Sequence, residues 1–432
     1  MHKKNLPNIL VMTQNKIQPF TGGGVVLSNL FTHFPTENLF FLHRDKDYGL
    51  PEKYTEYYMH GGMLKVNMGL ACKLLWQLLK KNQYLRLEGG LPGLIKLLIQ
   101  SSCFRLPSRL DKKIKSFKPD VIYAWAGDAL WARSIKIFAE RYHIPYVIHF
   151  MDNQIGIEPD TVLEQVLYPE FKRCLGQSVE RADMILTISD SMGKAYSELW
   201  QKNYRVFRGM IDITEWPLPK HKNSNKEFTL AFTGSIESGQ LKGLRDVAEA
   251  VDYLSDHDIS IRLVLYLTAE YEKLVREHFH DFRSIEYKPH PKFSELQAVL
   301  AEADLLVLAY GFDQATINYY RHSFATKIVP YMLSGTSILV YGPACIEPID
   351  YVQRGGWASI VNDHGVDHLV SAILALQGDI DKRRQLAKRA YQAACEEHDL
   401  LTNASEFSEL MTHIVQKSKH TSLNYSPRKN EI

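Results

Sequence analysis

Four stretches of this chain carry the residue types that bind anions or move protons. Gly234-Ser235-Ile236-Glu237-Ser238-Gly239-Gln240-Leu241-Lys242-Gly243 sets glycines and one lysine between an apolar run and a helical pattern. Glycines let the backbone come close to a ligand, and a lysine beside a helix start adds positive charge, so the stretch reads as a phosphate cradle. Ser323-Phe324-Ala325-Thr326-Lys327 leads into a short helical pattern (Lys327, Ile328, Tyr331, Met332) closed by Gly335, a natural left-handed C-cap. Thr21-Gly22-Gly23-Gly24 stands between an apolar run and an apolar helix, with helix amides aimed at an anion; a plain tight turn is the competing reading. His149 and Asp152 follow the run Ile144–Ile148. Either side chain can accept a hydroxyl proton or orient the hydroxyl. A packed histidine and a turn-capping aspartate are the alternatives, and with Asp152 slightly favoured the choice stays open.

The elements that must hold these groups are short apolar runs alternating with helical patterns. In the first half the strand readings are Asn8–Thr13, Asn38–His43, Pro119–Trp125, Ile144–Ile148 and Arg181–Ser189; in the second they are Phe228–Thr233, Ile261–Tyr266, Asp304–Leu308, Ser337–Tyr341 and Gly355–Val361. Helices are expected over Val25–Phe34, Leu130–Tyr142, Met192–Trp200, Leu244–Leu254, Phe293–Glu302, Val366–Leu376 and Asp381–His398. An irregular connection is expected between Leu308 and Ser323. This alternation predicts an α/β fold of two Rossmann-like, doubly wound parallel sheets, with the glycine loops and His149–Asp152 at the carboxyl ends of strands, where such sheets bind ligands. The glycine loops are expected to face each other across a cleft.

A chain of 432 residues suits two cores rather than one. The expected division is 1–216, 217–400, a helix at 401–416 crossing back to the first domain, and a polar, disordered tail at 417–432. The proline-marked Pro217–Lys226 stretch is the hinge linker. A net charge of +2 gives no global case for nucleic acid. Five scattered cysteines without Cys-x-x-Cys read as reduced thiols, and no run approaches the ~20 apolar residues of a membrane span. With no signal-peptide pattern at Met1–Thr13, a cytoplasmic protein is expected.

Charge is unevenly spread. Residues 63–118 hold twelve Lys or Arg against two acids, a net of +10 that leaves −8 for the rest. Within them Leu70–Lys81 sets leucines on one side and Lys73, Gln77, Lys80 and Lys81 on the other. Such basic amphipathic segments suit an anionic membrane surface, or else bury their leucines in the domain and solvate their lysines.

The stretch Ser323–Pro343 resembles the sugar-nucleotide-binding segment of the GT-B glycosyltransferases, most of all the large retaining family numbered four. Phe324, Lys327, Tyr331, Met332, Gly335, Ile338 and Leu339 fall in register with its pattern. The resemblance extends to the Gly-Gly loop, to the strand end at His149–Asp152 and to Lys242-Gly243. It departs at Pro330, where the family has a glutamate that holds the donor ribose, and at Ser235, where it has an arginine that contacts the diphosphate. What it implies is retaining transfer of a sugar from a nucleotide diphosphate donor to a hydroxyl. The basic surface points to a glycan or lipid-linked acceptor, hence to polysaccharide or lipopolysaccharide assembly, and no bound metal or cofactor is expected. Gly22, Gly23, Gly24, Gly234, Ser235, Lys242, Gly243 and Ser323, Phe324, Ala325, Thr326 and Lys327 would bind the donor. Two rival readings are a sugar-nucleotide epimerase, for which no further acid–base cluster is found, and a non-catalytic GT-B subunit, which the departures at Ser235 and Pro330 would suit.

Overall fold

The computed structural model describes residues 6–13, 22–43, 55–59, 64–81, 90–156, 159, 161–218, 227–236 and 238–424. It divides into two compact units, Met1–Phe207 with Thr402–Ile432, and Arg208–Leu401. Residues 208–216 fall in the second unit because it holds them there. Ile211 bridges Asp399, His398 Nδ1 lies 2.7 Å from the Gly209 carbonyl, and Tyr391 Oη donates to the Trp216 carbonyl. The expected linker lies largely outside the described residues.

The first unit contains β1 (Ile9–Thr13), β2 (Leu39–His43), β3 (Thr55–Tyr58), β4 (Leu64–Val66), β5 (Ser102–Phe104), β6 (Val121–Trp125), β7 (Tyr146–Phe150), β8 (Met184–Thr187) and β9 (Tyr204–Val206). Seven of these form a sheet ordered β3-β2-β1-β6-β7-β8-β9, parallel throughout, while β4 and β5 make a small antiparallel pair. The second unit contains β10 (Phe228–Thr233), β11 (Ile261–Leu267), β12 (Ile285–Pro289), β13 (Leu305–Ala309), β14 (Ile338–Tyr341) and β15 (Ser359–Val361). Its sheet is also parallel, ordered β12-β11-β10-β13-β14-β15. Central strands such as β1, β10 and β13 are buried along their whole length, which is why they read as unbroken apolar runs. In each sheet the order runs outward, returns to the first strand and reverses. The reversal points, β1 beside β6 and β10 beside β13, open a crevice at the strands' carboxyl ends.

Several elements differ from the sequence reading. The first helix begins at Gly22, so the three glycines form its opening turn rather than a loop before it. The helix expected from Leu244 begins at Ser238, which places Lys242 and Gly243 inside it. The connection read as irregular contains a helix, Gln314–Tyr320, capped by Asp313 through the Thr316 amide. A further helix, absent from the sequence reading, spans Val162–Arg181; Thr161 caps it by accepting from the Glu164 amide. Gly355 ends the helix Glu347–Gly355 rather than opening the last strand. The last helix, Leu400–Asn424, continues into the tail read as disordered, where Lys419 pairs with Asp120 at 3.0 Å. Phe407 anchors that helix on the first unit, with ring centroids of Phe31, Phe34, Tyr123 and Phe207 within 6.0 Å in edge-on contact.

The basic stretch forms helices Met68–Lys81 and Gly90–Gln100. Ala71, Leu74, Leu78 and Leu97 pack against Leu163, Val166 and Leu167, so the leucine side faces the unit's own core. Met68, Trp76 and Ile95 are 63%, 57% and 47% exposed, and Cys72, Lys73 and Lys96 share that outer side. No helix among the described residues is long and apolar enough to cross a membrane.

Candidate functional site

In the second unit the groups meet at the carboxyl end of β10. Gly234 leaves that strand at φ +99°, a left-handed conformation suited to glycine. Here the sheet places the backbone where the strand order reverses. The Tyr331 hydroxyl, 2.8 Å from the Thr233 amide, fixes the strand end. Burial pushes that hydroxyl's pKa up to about 12, so it stays protonated.

Lys327 reaches into this turn from the segment after the Gln314–Tyr320 helix. Its ammonium donates to the Ser235 carbonyl at 2.7 Å and to Gln240 Oε1 at 3.4 Å, and lies 5.1 Å from the Phe232 ring centroid. Gln240 is buried at 2% exposure, so its amide is a fixed element of the turn. Lys242, two residues beyond Gln240 in the helix, pairs with Asp313 at 3.0 Å, with over half of the lysine side chain exposed. Partial burial would raise the Asp313 carboxyl, but bonds from Thr316 and Lys242 hold it down at about 2.

Gly243 has a different task from the one its position suggests. A Cβ there would come within 2.4 Å of the Tyr310 nitrogen and 2.8 Å of the Ala309 carbonyl carbon. Its bare Cα lets the helix lie directly on the end of β13; the glycine serves helix–strand packing rather than approach to a phosphate. A Cβ on Gly239 would come within 2.8 Å of the Thr316 side chain, and the Gly239 carbonyl accepts from the Gly311 amide at 2.7 Å.

The stretch Ser323–Lys327 divides. Ser323 is buried and donates back to the Tyr319 carbonyl at 2.8 Å. The Phe324 ring packs against Tyr351, His398 and the Arg208 guanidinium, which turns it to the interior. Ala325 is half-buried, Thr326 is exposed, and the two lead into the helix Ile328–Leu333. Pro330 sits in the first turn of that helix, where its missing N–H costs no helical bond. Gly335 follows at φ +75°.

In the first unit His149 is not at a surface. It is fully buried, with Nδ1 2.6 Å from the Tyr123 hydroxyl. Burial lowers its pKa to about 3 despite the neighbouring Phe207 and Thr187 backbone, so it is a neutral, packed histidine. The expectation that it faces a substrate is corrected on that ground. Asp152 is exposed, in a loop pinned by its neighbour Asn153: the Asn153 side-chain oxygen accepts from the Tyr196 hydroxyl at 3.2 Å and from the Gly156 amide at 3.3 Å. Gly22, Gly23 and Gly24 open their helix close in sequence to the end of β1.

Two groups at the β10 turn escaped the sequence reading. Gln240 lies between two glycines of the cradle stretch, and His290 follows β12 at once. The ring nitrogen Nε2 of His290 comes within 3.8 Å of where a Gly234 Cβ would stand, and Lys327 Nζ within 3.9 Å of the same point. Among the described residues no three His, Cys, Asp or Glu side chains gather as a metal would require. Of the three Asp-x-Asp pairs in the sequence, 45–47 lies outside the described residues, while 256–258 and 379–381 lie at helix ends, Asp256 bound to Arg283 and Asp379 capping the Lys382 amide.

No family model matches the chain, and no curated protein matches it. Its fold is similar to that of HepE from Anabaena, solved in complex with UDP and glucose, at 14% identity over 94% of this chain and 99% of that one, with a TM-score of 0.62. It is also similar to sucrose-phosphate synthase from Thermosynechococcus elongatus (11% identity, 95% and 100% covered, TM-score 0.64). A third is an α,α-trehalose 6-phosphate synthase from Burkholderia multivorans (12% identity, 97% and 99% covered, TM-score 0.61). At such identities the likeness is one of fold: paired Rossmann-like units of the GT-B kind.

Proposed function

We propose that this protein is a glycosyltransferase that moves a sugar from a nucleotide diphosphate donor to a hydroxyl, with retention at the anomeric carbon. The observation that carries this reading is the β10 turn. At the reversal point of the second sheet, a left-handed glycine and the Lys327 ammonium, held by the Ser235 carbonyl, stand at the end of β10, with Lys242, paired with Asp313, on the helix that follows. That HepE, a protein of the same fold, was solved with UDP and glucose supports a nucleotide sugar as the ligand.

In the proposed reaction the acceptor oxygen bonds to the anomeric carbon as the bond from that carbon to the diphosphate oxygen breaks. The hydroxyl proton passes to Asp152, and the lysines and nearby amides hold the charge on the departing diphosphate by preorganised electrostatics. Gly22, Gly23 and Gly24, which open the first helix, are assigned to the substrates on the first unit. No metal or cofactor is assigned a role. We further infer a glycan or lipid-linked acceptor in cell-surface polysaccharide or lipopolysaccharide assembly. The exposed Met68, Trp76 and Ile95 among the lysines of 63–118 support attachment to an anionic membrane surface from the cytoplasmic side.

One observation favours a second reading, a GT-B protein that binds a partner without catalysis: Pro330 offers no acceptor to a ribose hydroxyl, and Ser235 supplies no charge. Calorimetric titration with UDP, GDP, dTDP and CDP separates the two. The transferase reading expects one of them to bind and Lys327→Ala to weaken it at least tenfold. A folded protein that binds none contradicts it and favours the second.

A further inference from the structure

Resting on the donor-site reading above, the geometry points to His290 as a second donor-binding residue, whose imidazole receives a phosphate oxygen of the donor opposite Lys327. Ser235 in the turn carries no charge. His290 comes from the far side of the sheet to the same place. Its amide donates to the Leu267 carbonyl at 2.8 Å, which continues the β11–β12 ladder by one residue and fixes the ring's origin. The residue as a whole is on the surface with its ring partly covered, and its Nε2 and the Lys327 Nζ stand 3.8 and 3.9 Å from the point where a Gly234 Cβ would lie, which the Lys327 Cε approaches to 3.2 Å. Two nitrogens within 4 Å of one point beside a left-handed glycine can together receive an anionic oxygen.

The charged group facing His290 from another element is Lys327; on its own strand Lys288 is engaged with Glu286 at 3.1 Å. Partial burial, then Lys327, lowers the imidazole's pKa below its ordinary 6.5. A phosphate placed between the two nitrogens would reverse that balance, because it stabilises the imidazolium. Binding the donor therefore takes up a proton at His290, and His290's contribution grows as pH falls through 6.5 toward the lower pKa of the free site. The terminal phosphate of the nucleotide titrates near pH 6 and, in contact with the imidazole, titrates together with it in wild type but alone in the alanine variant. The ratio of the two affinities therefore reads the coupled pair.

The test is calorimetry on the full chain with whichever of UDP, GDP, dTDP and CDP binds, at pH 6.0 and 8.0, using wild type, His290→Ala and His290→Gln. We expect His290→Ala to bind about tenfold more weakly at pH 6.0 and less than threefold more weakly at pH 8.0, since a charged hydrogen bond exceeds a neutral one. His290→Gln should recover the affinity at pH 8.0 but not the gain at pH 6.0. If His290→Ala binds within twofold of wild type at both pH values while wild type binds a nucleotide, this inference is overturned and the donor site stands. If wild type binds no nucleotide, both fall together.

Discussion

Replacing Gly243 by alanine tests the reading that this glycine serves packing. In an ordinary helix the change stabilises by about 1 kcal/mol. Here the new Cβ would lie 2.4 Å from the Tyr310 nitrogen, 2.7 Å from its carbonyl carbon and 2.8 Å from that of Ala309. All three are backbone atoms at the end of a buried central strand, so no side chain can swing aside. The helix Ser238–Asp256 must instead withdraw by about 1 Å, against Leu244, Val247 and Val251, which are fully buried beneath it. Overpacking of this kind costs about 3 kcal/mol, the upper end of its usual range, and leaves a net loss near 2 kcal/mol after the helical gain. For a unit of this size that is a fall in Tm of about 4–8 °C. Thermal unfolding followed by circular dichroism reads it. Gly176→Ala is the control: its Cβ would meet nothing nearer than Trp200 Nε1 at 3.7 Å, so it should keep or raise the Tm. A Gly243→Ala protein that melts at or above wild type refutes the packing argument and returns Gly243 to the ligand.

Other consequences come from burial and exposure. Because burial lowers His149 from 6.5 to about 3, the unfolded chain takes up a proton that the folded one refuses. Stability is thus lost as pH falls below 6.5, by about 2 kcal/mol at pH 5. His149→Gln, which can still accept from Tyr123, should flatten this dependence in urea unfolding of the first unit; an unchanged slope would mean that the histidine titrates normally. Trp76→Ala should cut co-sedimentation with vesicles rich in anionic lipid about tenfold, and Lys73→Glu should weaken that binding and make it less salt-sensitive; equal binding by all three proteins would rule out this face as the contact.

The sheets were legible because parallel strands buried on both faces leave continuous apolar runs, as in Leu10-Val11-Met12 and Leu305–Leu308. Short edge elements were not. β3 (Thr-Glu-Tyr-Tyr) and the β4–β5 pair are too short and too polar to stand out from loops. Helix starts were misplaced where glycines lie inside the first turns, since a glycine stretch reads as a loop until the strand packed against it is known. At Asp313 and Thr161 the capping patterns Asp-x-x-Thr and Thr-x-x-Glu were present in the sequence, but aromatic residues and Pro169 obscured the helices they cap. Of the candidate site, the glycine-and-lysine stretch Gly234–Gly243 was read from its residue types, whereas Lys327 entered as a donor residue only through the resemblance. His149 looked catalytic because a strand end and a buried strand interior share one sequence, and only the fold tells them apart. Gln240 and His290 could not be found, since their role depends on a turn assembled from three separated segments.

The most direct measurement follows the donor itself. The protein would be incubated without acceptor with the sugar nucleotide of whichever base it binds, and free nucleoside diphosphate would be followed by chromatography. The account predicts slow release of the diphosphate with equal release of free sugar, lost in Lys327→Ala. A donor that stays intact although bound, or that turns into a second sugar nucleotide without releasing diphosphate, would contradict it.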